Sequence, residues 1–116
     1  MPKLEALWSI KFHSETFQSP GVGGVVVLDT GRILGGDPWF TFVGDYKVVP
    51  DRVWARLHVR RYKPLPAGIV SIADLDNYVG IFEGPSDDKA VNLEGCVEGR
   101  REIKICVEMI RRAELL

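Results

Sequence analysis

The chain has 116 residues, of which 15 are basic and 16 acidic, so its net charge is −1 at pH 7. That length fits one domain over residues 1–116, able to bury roughly two-thirds of the surface that the unfolded chain exposes. Because charges of both signs are interspersed, no overall positive field favours nucleic acid or an anionic membrane as a partner.

The N-terminal segment lacks the apolar run of a signal peptide, and no run approaches the about 18 apolar residues of a membrane span. We therefore expect a cytoplasmic protein without membrane contact. Its two cysteines, Cys96 and Cys106, are too few for a secreted disulfide framework. In a reducing compartment the expectation is two free thiols.

The first predicted element is a strand over residues 3–13, followed by a loop over 14–20. Apolar side chains alternate with polar ones in this strand, which is typical of a strand with one buried face. The apolar positions are Leu4, Ala6, Trp8, Ile10 and Phe12.

Six glycines fall in the valine-rich segment from Gly21 to Gly36. The segment predicts strands over 23–29 and 32–36, joined by a turn at 29–31. Glycines this frequent within strands indicate bulges, bends or close backbone approaches. Such features are typical of a small sheet that curls toward closure.

The next two strands are predicted over 39–46 and 53–62, on either side of a connection that contains Pro50. Aromatic residues share one face of the first of these strands, and they are Phe40, Phe42 and Tyr46. In the second strand, apolar residues alternate with an unusual outer set, which is Trp54, Arg56, His58, Arg60 and Tyr62.

One short helix near 69–76 and strands over 78–83, 91–98 and 102–109 complete the predicted elements. Eight short strands with turn signals between them, almost without helix, indicate an all-β antiparallel meander. The pattern alone leaves open whether it closes as a barrel or folds as a sandwich.

In the last hairpin, odd-numbered apolar residues of both strands must share one face. Directly paired residues in an antiparallel ladder lie on the same face, so their numbers must add to an even sum. A two-residue turn at 100–101 gives an odd sum, so a three-residue turn containing Gly99 is predicted. Cys96 and Cys106 then lie on the outer face as direct or diagonal neighbours. Reduced thiols are favoured over a bridge or a redox pair.

No pattern in the chain predicts catalysis. The glycines at 21, 23 and 24 lead into a strand, whereas a dinucleotide fingerprint opens a helix. Only His13 and His58 could act as the general base for a serine or cysteine nucleophile, and the alternation places both on outer strand faces. These histidines and the two cysteines also lack the paired spacing of zinc ligands. We therefore expect no enzymatic activity, no cofactor and no metal site.

Two acidic pairs could suggest a carboxylate or calcium site. They are Asp74 with Asp76 and Asp87 with Asp88. Each pair lies in a turn-like stretch without the pattern of a calcium loop, so solvated turn residues are the favoured interpretation.

The outer set of the fifth strand is the first candidate functional surface. Aromatic and arginine side chains are enriched both at protein interfaces and on surfaces that stack nucleic-acid bases. A homodimer or partner interface is favoured, a merely solvated face comes second, and single-stranded nucleic acid comes third.

The interior of a barrel is the second candidate site. Eight strands leave room for a packed core or for one small ligand. The lining would consist of Trp8, Ile10, Phe12, Phe40, Phe42 and Tyr46. Aromatic residues in this number favour a packed core, with an apolar ligand or lipid as the alternative.

Four stretches of the N-terminal half resemble the GrlR family of small bacterial proteins, negative regulators of type III secretion genes. The stretches are residues 7–12, 23–28, 32–37 with its Gly-Gly-Asp triplet, and 59–62. The resemblance implies a lipocalin-like antiparallel β-barrel that dimerises, has no enzymatic activity and restrains a transcriptional activator by binding it.

Members of that family that bind the activator carry an acidic Glu-Asp-Glu-Asp quartet before the fifth strand. Here the corresponding connection runs from Lys47 to Asp51, and only Asp51 is acidic. The two charges nearly cancel, which weakens the case for the same activator. The sequence thus predicts a regulator that binds a protein, with Lys47 and Asp51 beside the contact, and a carrier or sensor of an apolar ligand as the alternative.

Overall fold

The computed structural model describes residues 3–14, 22–68 and 75–115, and it shows a closed antiparallel β-barrel. Its strands are β1 (Ala6–His13), β2 (Val22–Asp29), β3 (Arg32–Gly36), β4 (Phe40–Val49), β5 (Arg52–Arg61), β6 (Asn77–Pro85), β7 (Ala90–Val97) and β8 (Arg100–Glu114). Each strand pairs with the next, and β8 returns to pair with β1. The predicted all-β fold of eight strands is confirmed, in its closed form.

Two predictions fall mainly outside the described residues. The helix near 69–76 overlaps them only at Leu75 and Asp76, which are not helical. The loop over 14–20 overlaps them only at Ser14. Within the described ranges, no helix has the length and apolar character needed to cross a membrane.

The predicted alternation places the core inside the barrel. All six predicted interior side chains are buried, namely Trp8, Ile10, Phe12, Phe40, Phe42 and Tyr46. The rings of Phe12 and Phe42 meet edge to face, with centroids 5.4 Å apart. This is a favourable geometry for an aromatic pair. On β5, the inward residues Val53, Ala55, Leu57 and Val59 are likewise buried.

Two inward-facing glycines show why the sheet can coil this tightly. A Cβ atom at Gly35 would lie 2.1 Å from the carbonyl oxygen of Val25, and one at Gly44 would lie 2.0 Å from that of Arg56. No side chain fits at such distances, so the close approach of neighbouring strands requires glycine. At Gly35, the close approach predicted for the glycine-rich segment is confirmed.

The turns are partly as predicted. The predicted turn between β2 and β3 is confirmed, since Thr30 and Gly31 both have positive φ, at 50° and 83°. That geometry suits a two-residue hairpin loop, in which both central residues adopt φ above zero.

The three-residue turn predicted between β7 and β8 is wrong. The turn has two residues, Glu98 and Gly99. A register shift directly follows it, since Cys96 pairs with Lys104. This bulge restores the even sum of paired positions and keeps Ile103 buried. The physical reason for the error is that a bulge can correct the register as well as a longer turn can.

β8 extends beyond the predicted range 102–109 to Glu114. Arg111 continues the inward alternation of the strand and pairs with Trp8, and the register shifts only after this pair. The guanidinium of Arg111 lies 5.7 Å from the centroid of the indole ring. It also donates to the carbonyl oxygen of Lys3 at 2.7 Å and to the carboxylate of Glu114 at 2.8 Å. Arg111 thereby joins the start of the described chain to the last strand.

Candidate protein-binding surface

The five predicted partner residues lie in one line on the outer face of β5 and just beyond its end. We call this line the β5 stripe, and it consists of Trp54, Arg56, His58, Arg60 and Tyr62. At about 3.3 Å per residue, it spans roughly 26 Å. Because the alternate residues of the strand are buried in the barrel, strand geometry directs the whole stripe outward.

Two members of the β5 stripe are oriented by neighbours on the surface. Arg56 donates to the carboxylate of Glu98 at 2.9 Å, and the two side chains stay 47% and 45% exposed. Nε2 of His58 lies 2.5 Å from the side-chain oxygen of Asn77. Exposed contacts of this kind add little stability, but they restrict the orientation of both side chains.

The C-terminal end of the β5 stripe, at Tyr62, is held by a hydrogen bond and remains exposed to solvent. The hydroxyl of Tyr62 donates to the carbonyl oxygen of Asp37 at 2.9 Å, and the side chain is still 60% exposed. Arg60 is exposed and forms no ion pair with any residue in the described ranges. This end therefore offers a cationic and an aromatic group together.

At the other end of the stripe, the structure brings Lys47 beside Trp54. The ammonium group lies 6.0 Å from the ring centroid, near the limit of a cation–π contact. Asp51 occupies the tip of the β4–β5 hairpin with φ at 67°, and its carbonyl oxygen accepts the N–H of Ser86. Lys47 and Asp51 thus flank the stripe, and both are exposed.

The Gly-Gly-Asp triplet ends β3 by a polar cap. One carboxylate oxygen of Asp37 accepts the backbone N–H groups of Trp39 and Phe40, at 2.8 and 2.7 Å. Its other oxygen is buried and has no hydrogen-bond partner among the described residues. Burial raises the pKa of Tyr78 far above its ordinary value, and the charge of Asp37 adds to this effect. The backbone carbonyl oxygen of Asp37 also accepts a hydrogen bond from the hydroxyl of Tyr62. The residue that caps β3 therefore also holds one end of the β5 stripe.

Among the described residues, the side chains inside the barrel leave a cavity of only about 30 Å³. Of the six predicted lining residues, Ile10 and Tyr46 border it. Ligand pockets usually measure roughly 300–1,000 Å³. The other four predicted residues pack against their neighbours as core. Tyr46 keeps one polar contact, since its hydroxyl donates to the carboxylate of Glu5.

Cys96 and Cys106 lie on the outer face, and neither forms a disulfide. The paired positions sum to 200, so Cys106 lies opposite Glu94 and is a diagonal neighbour of Cys96. Diagonal neighbours lie roughly 7–8 Å apart, at or beyond the separation that a disulfide spans. Among the described residues, no group of three or more His, Cys, Asp or Glu side chains could hold a metal ion.

A row of outward-facing residues crosses the outer face of the barrel from β1 to β6 and was not predicted from the sequence. We call it the apolar row, since all of its members except His58 are apolar. Its members are direct cross-strand partners in the order Leu7, Val27, Leu34, Val43, His58 and Val79. Leu34 and Val43 lie in the middle and are 46% and 45% exposed. The row becomes visible only when the register between strands is known. Alternation within one strand does not reveal it.

Comparison with known proteins found no family model that matches the chain and no curated protein that matches it. The geometry defines a class of molecule, which is a filled, closed β-barrel whose outer face presents apolar, aromatic and cationic side chains. The outer face is therefore the candidate functional surface.

Proposed function

We propose that this protein is a non-enzymatic cytoplasmic regulator of the GrlR type, which restrains a transcriptional regulator by binding it. The observation that supports this most is the β5 stripe, which combines an exposed tyrosine, a half-buried tryptophan beside Lys47, and Arg60, which forms no ion pair within the described ranges. Tryptophan, tyrosine and arginine are the residues that most often dominate the binding energy of protein interfaces.

Preorganisation strengthens the argument. Binding costs free energy when mobile side chains must be ordered, so an interface gains from side chains that are already held. Arg56 is held by Glu98, and Tyr62 is held by Asp37. Both still present a large exposed portion to a partner.

The resemblance to the GrlR family supports the same function. A closed antiparallel barrel is the fold that the resemblance implies, and the Gly-Gly-Asp triplet has a defined role in ending β3. The connection from Lys47 to Asp51 carries one positive and one negative side chain, so it projects little net charge. We therefore propose a transcriptional regulator recognised mainly through aromatic and arginine contacts.

The test is affinity capture from the native host with the tagged protein, followed by identification of the retained proteins. We expect a DNA-binding protein, and we expect Trp54→Ala and Arg60→Glu each to reduce its recovery at least about tenfold, the equivalent of about 1.4 kcal/mol. Lys11→Glu, an exposed change on β1, is the matched control and should retain the partner. Equal recovery with all three variants would overturn the proposal.

The alternative, a carrier or sensor of a small apolar ligand, has less support. The cavity of about 30 Å³ has room for roughly one water molecule or little more, so a lipid would require the core to rearrange. Native mass spectrometry after incubation with fatty acids and phospholipids tests it. A retained adduct would favour the carrier, and its absence would leave the regulator.

A further inference from the structure

We propose that Cys106 is a modification site, a thiol that a hydroperoxide oxidises and a low-molecular-weight thiol then caps as a mixed disulfide, with His13 as the base. The site lies on β8 and β1, outside the β5 stripe, and it does not depend on any regulator. Three features support it, namely a histidine beside the thiol, a carboxylate that holds the histidine, and a groove that leads to the sulfur.

The register between β1 and β8 places a histidine directly beside this cysteine. His13 and Cys106 are cross-strand partners. Directly opposite residues of an antiparallel pair have Cβ atoms about 4.5–5.5 Å apart and share one face of the sheet. The imidazole and the thiol therefore lie within reach of each other on the outer face of the barrel.

A carboxylate holds the far side of the imidazole. Nε2 of His13 lies 3.0 Å from a carboxylate oxygen of Glu108. That contact leaves Nδ1, the ring nitrogen nearer the backbone, available to Cys106. A nucleophile, a base beside it and a third group that orients the base form the arrangement by which proteins activate a thiol.

A groove gives a small oxidant access to the sulfur. The groove has a volume of about 220 Å³, and its lining includes Cys106, Glu94 and Lys104. Cys106 itself is half-buried. Reactive cysteines are typically partly exposed and lie near cationic groups, because the thiolate is the reactive form. The partial exposure of Cys106, with His13 and Lys104 near it, fits this description.

The modification is a two-electron oxidation followed by thiol exchange. His13 takes the thiol proton, and the sulfur of Cys106 attacks the terminal oxygen of the hydroperoxide. The S–O bond forms as the O–O bond breaks, so the cysteine is oxidised to a sulfenic acid and the peroxide is reduced. The imidazolium gives its proton to the departing oxygen, which leaves as water or an alcohol. A low-molecular-weight thiol then displaces the sulfenic hydroxyl, which leaves as water, and the S–S bond forms.

Cys96 provides a matched comparison on the same face of the barrel. The two thiols share their charged neighbours on β7 and β8, because Glu94 pairs with Cys106 and Lys104 pairs with Cys96. They differ on the other side, where Cys106 pairs with His13 and Cys96 pairs with an isoleucine of β6. A difference in reactivity between the two thiols therefore reports on the histidine.

The test measures how fast each thiol of the full chain reacts with hydrogen peroxide near neutral pH. Dimedone traps the sulfenic acid, and peptide mass spectrometry locates it. We expect trapping at Cys106 to be at least about tenfold faster than at Cys96. With glutathione in place of dimedone, a mixed disulfide should form at Cys106. Equal rates, faster trapping at Cys96, or a sulfenic acid that takes up no glutathione would each overturn the proposal.

Substitutions of the neighbouring residues separate activation from exposure. His13→Gln should slow trapping at Cys106 at least about tenfold, because the base is lost. Glu108→Gln should slow it less, because the histidine remains. The pH profile of the rate at Cys106 should contain a histidine step that His13→Gln removes. An unchanged rate and profile in His13→Gln would contradict the assignment of the base.

Two controls distinguish this effect from damage to the fold. Lys11→Gln removes an exposed charge from the same face of β1 but keeps the base, so trapping at Cys106 should stay close to the wild-type rate. The rate at Cys96, measured in the same variants, should not change. If Cys96 also reacted faster or slower in His13→Gln, the substitution would be acting on the barrel as a whole and the proposal would fail.

Discussion

Phe42 and Val43 are adjacent in β4 and face opposite sides of the barrel wall. Phe42 is 1% exposed and packs on Phe12, whereas Val43 is 45% exposed and lies between its cross-strand partners Leu34 and His58. Burial of the first is explained by folding. Burial of the second requires another molecule. The comparison therefore separates residues that stabilise the barrel from residues that are available to bind a partner.

Energetically, the two faces differ in when their apolar surface is buried. A large side chain such as Phe42 contributes roughly 1.5–3 kcal/mol to folding through its burial. The exposed part of Val43 contributes nothing until a partner covers it. Substitutions on the inner face should therefore change stability, and those on the outer face should change association.

The largest effect is expected for Phe42→Ala. It removes a fully buried ring and its edge-to-face partner contact, and we expect a loss of about 3–5 kcal/mol in the free energy of unfolding. Urea denaturation followed by fluorescence measures this loss. Val43→Ala is the matched control and should change the value by less than about 0.5 kcal/mol. Equal losses at the two positions would contradict the comparison.

The next effect concerns two adjacent arginines of β8. Arg111 is only 17% exposed, lies over Trp8 and donates to several acceptors, so Arg111→Ala should cost about 2–3 kcal/mol. Arg112 donates to the hydroxyl of Ser9 at the surface, so Arg112→Ala should cost less than about 1 kcal/mol. Denaturant unfolding of both variants tests this. Similar costs would mean that the position of Arg111 over Trp8 adds nothing to the free energy of unfolding.

The stability of the barrel should also depend on pH through a polar group of the inner face, the hydroxyl of Tyr46. Burial, and then the hydrogen bond to Glu5, raise the pKa of Tyr46 from 10.0 to about 12. The folded state therefore holds this proton more tightly than the unfolded state. Its contribution to stability is complete below pH 10 and is lost as the pH rises from 10 to 12.

The loss over that range should be roughly 2 kcal/mol. Tyr46→Phe should show a shallower decline of the unfolding free energy between pH 9 and 12. If Tyr46→Phe declined as steeply as the wild type, the buried hydroxyl would not be the cause.

The smallest effect is expected for Leu34→Gln. Because Leu34 is 46% exposed and lies outside the core, the free energy of unfolding in urea should change by less than about 0.5 kcal/mol. A larger loss would mean that Leu34 contributes to the packing of the barrel itself.

The sequence predicted the strands and their inner faces because alternation with a period of two is a local property. It failed where the backbone departs from that period. The turn at Glu98 and Gly99 is followed by a bulge that leaves no clear signal in composition. Val97 pairs with Arg100 and Cys96 pairs with Lys104, so three extra residues on β8 change which positions face inward.

The candidate surface was predictable to the extent that it lies on one strand. The β5 stripe follows from the residues of a single segment, so it could be named before the fold was known. The apolar row joins residues from six strands, and its existence depends on how those strands are aligned. A single sequence holds no direct record of that alignment.

The pairing of β1 with β8 has a consequence for how the chain folds. The hydrogen bond from Arg111 to Lys3 joins residues 108 positions apart, so the ring closes only when both ends of the described chain meet. Contacts between such distant positions make folding slow, on the order of milliseconds to seconds for small all-β domains. During synthesis the sheet must wait for its eighth strand to leave the ribosome, and until then β1 is an unpaired edge that a chaperone can protect.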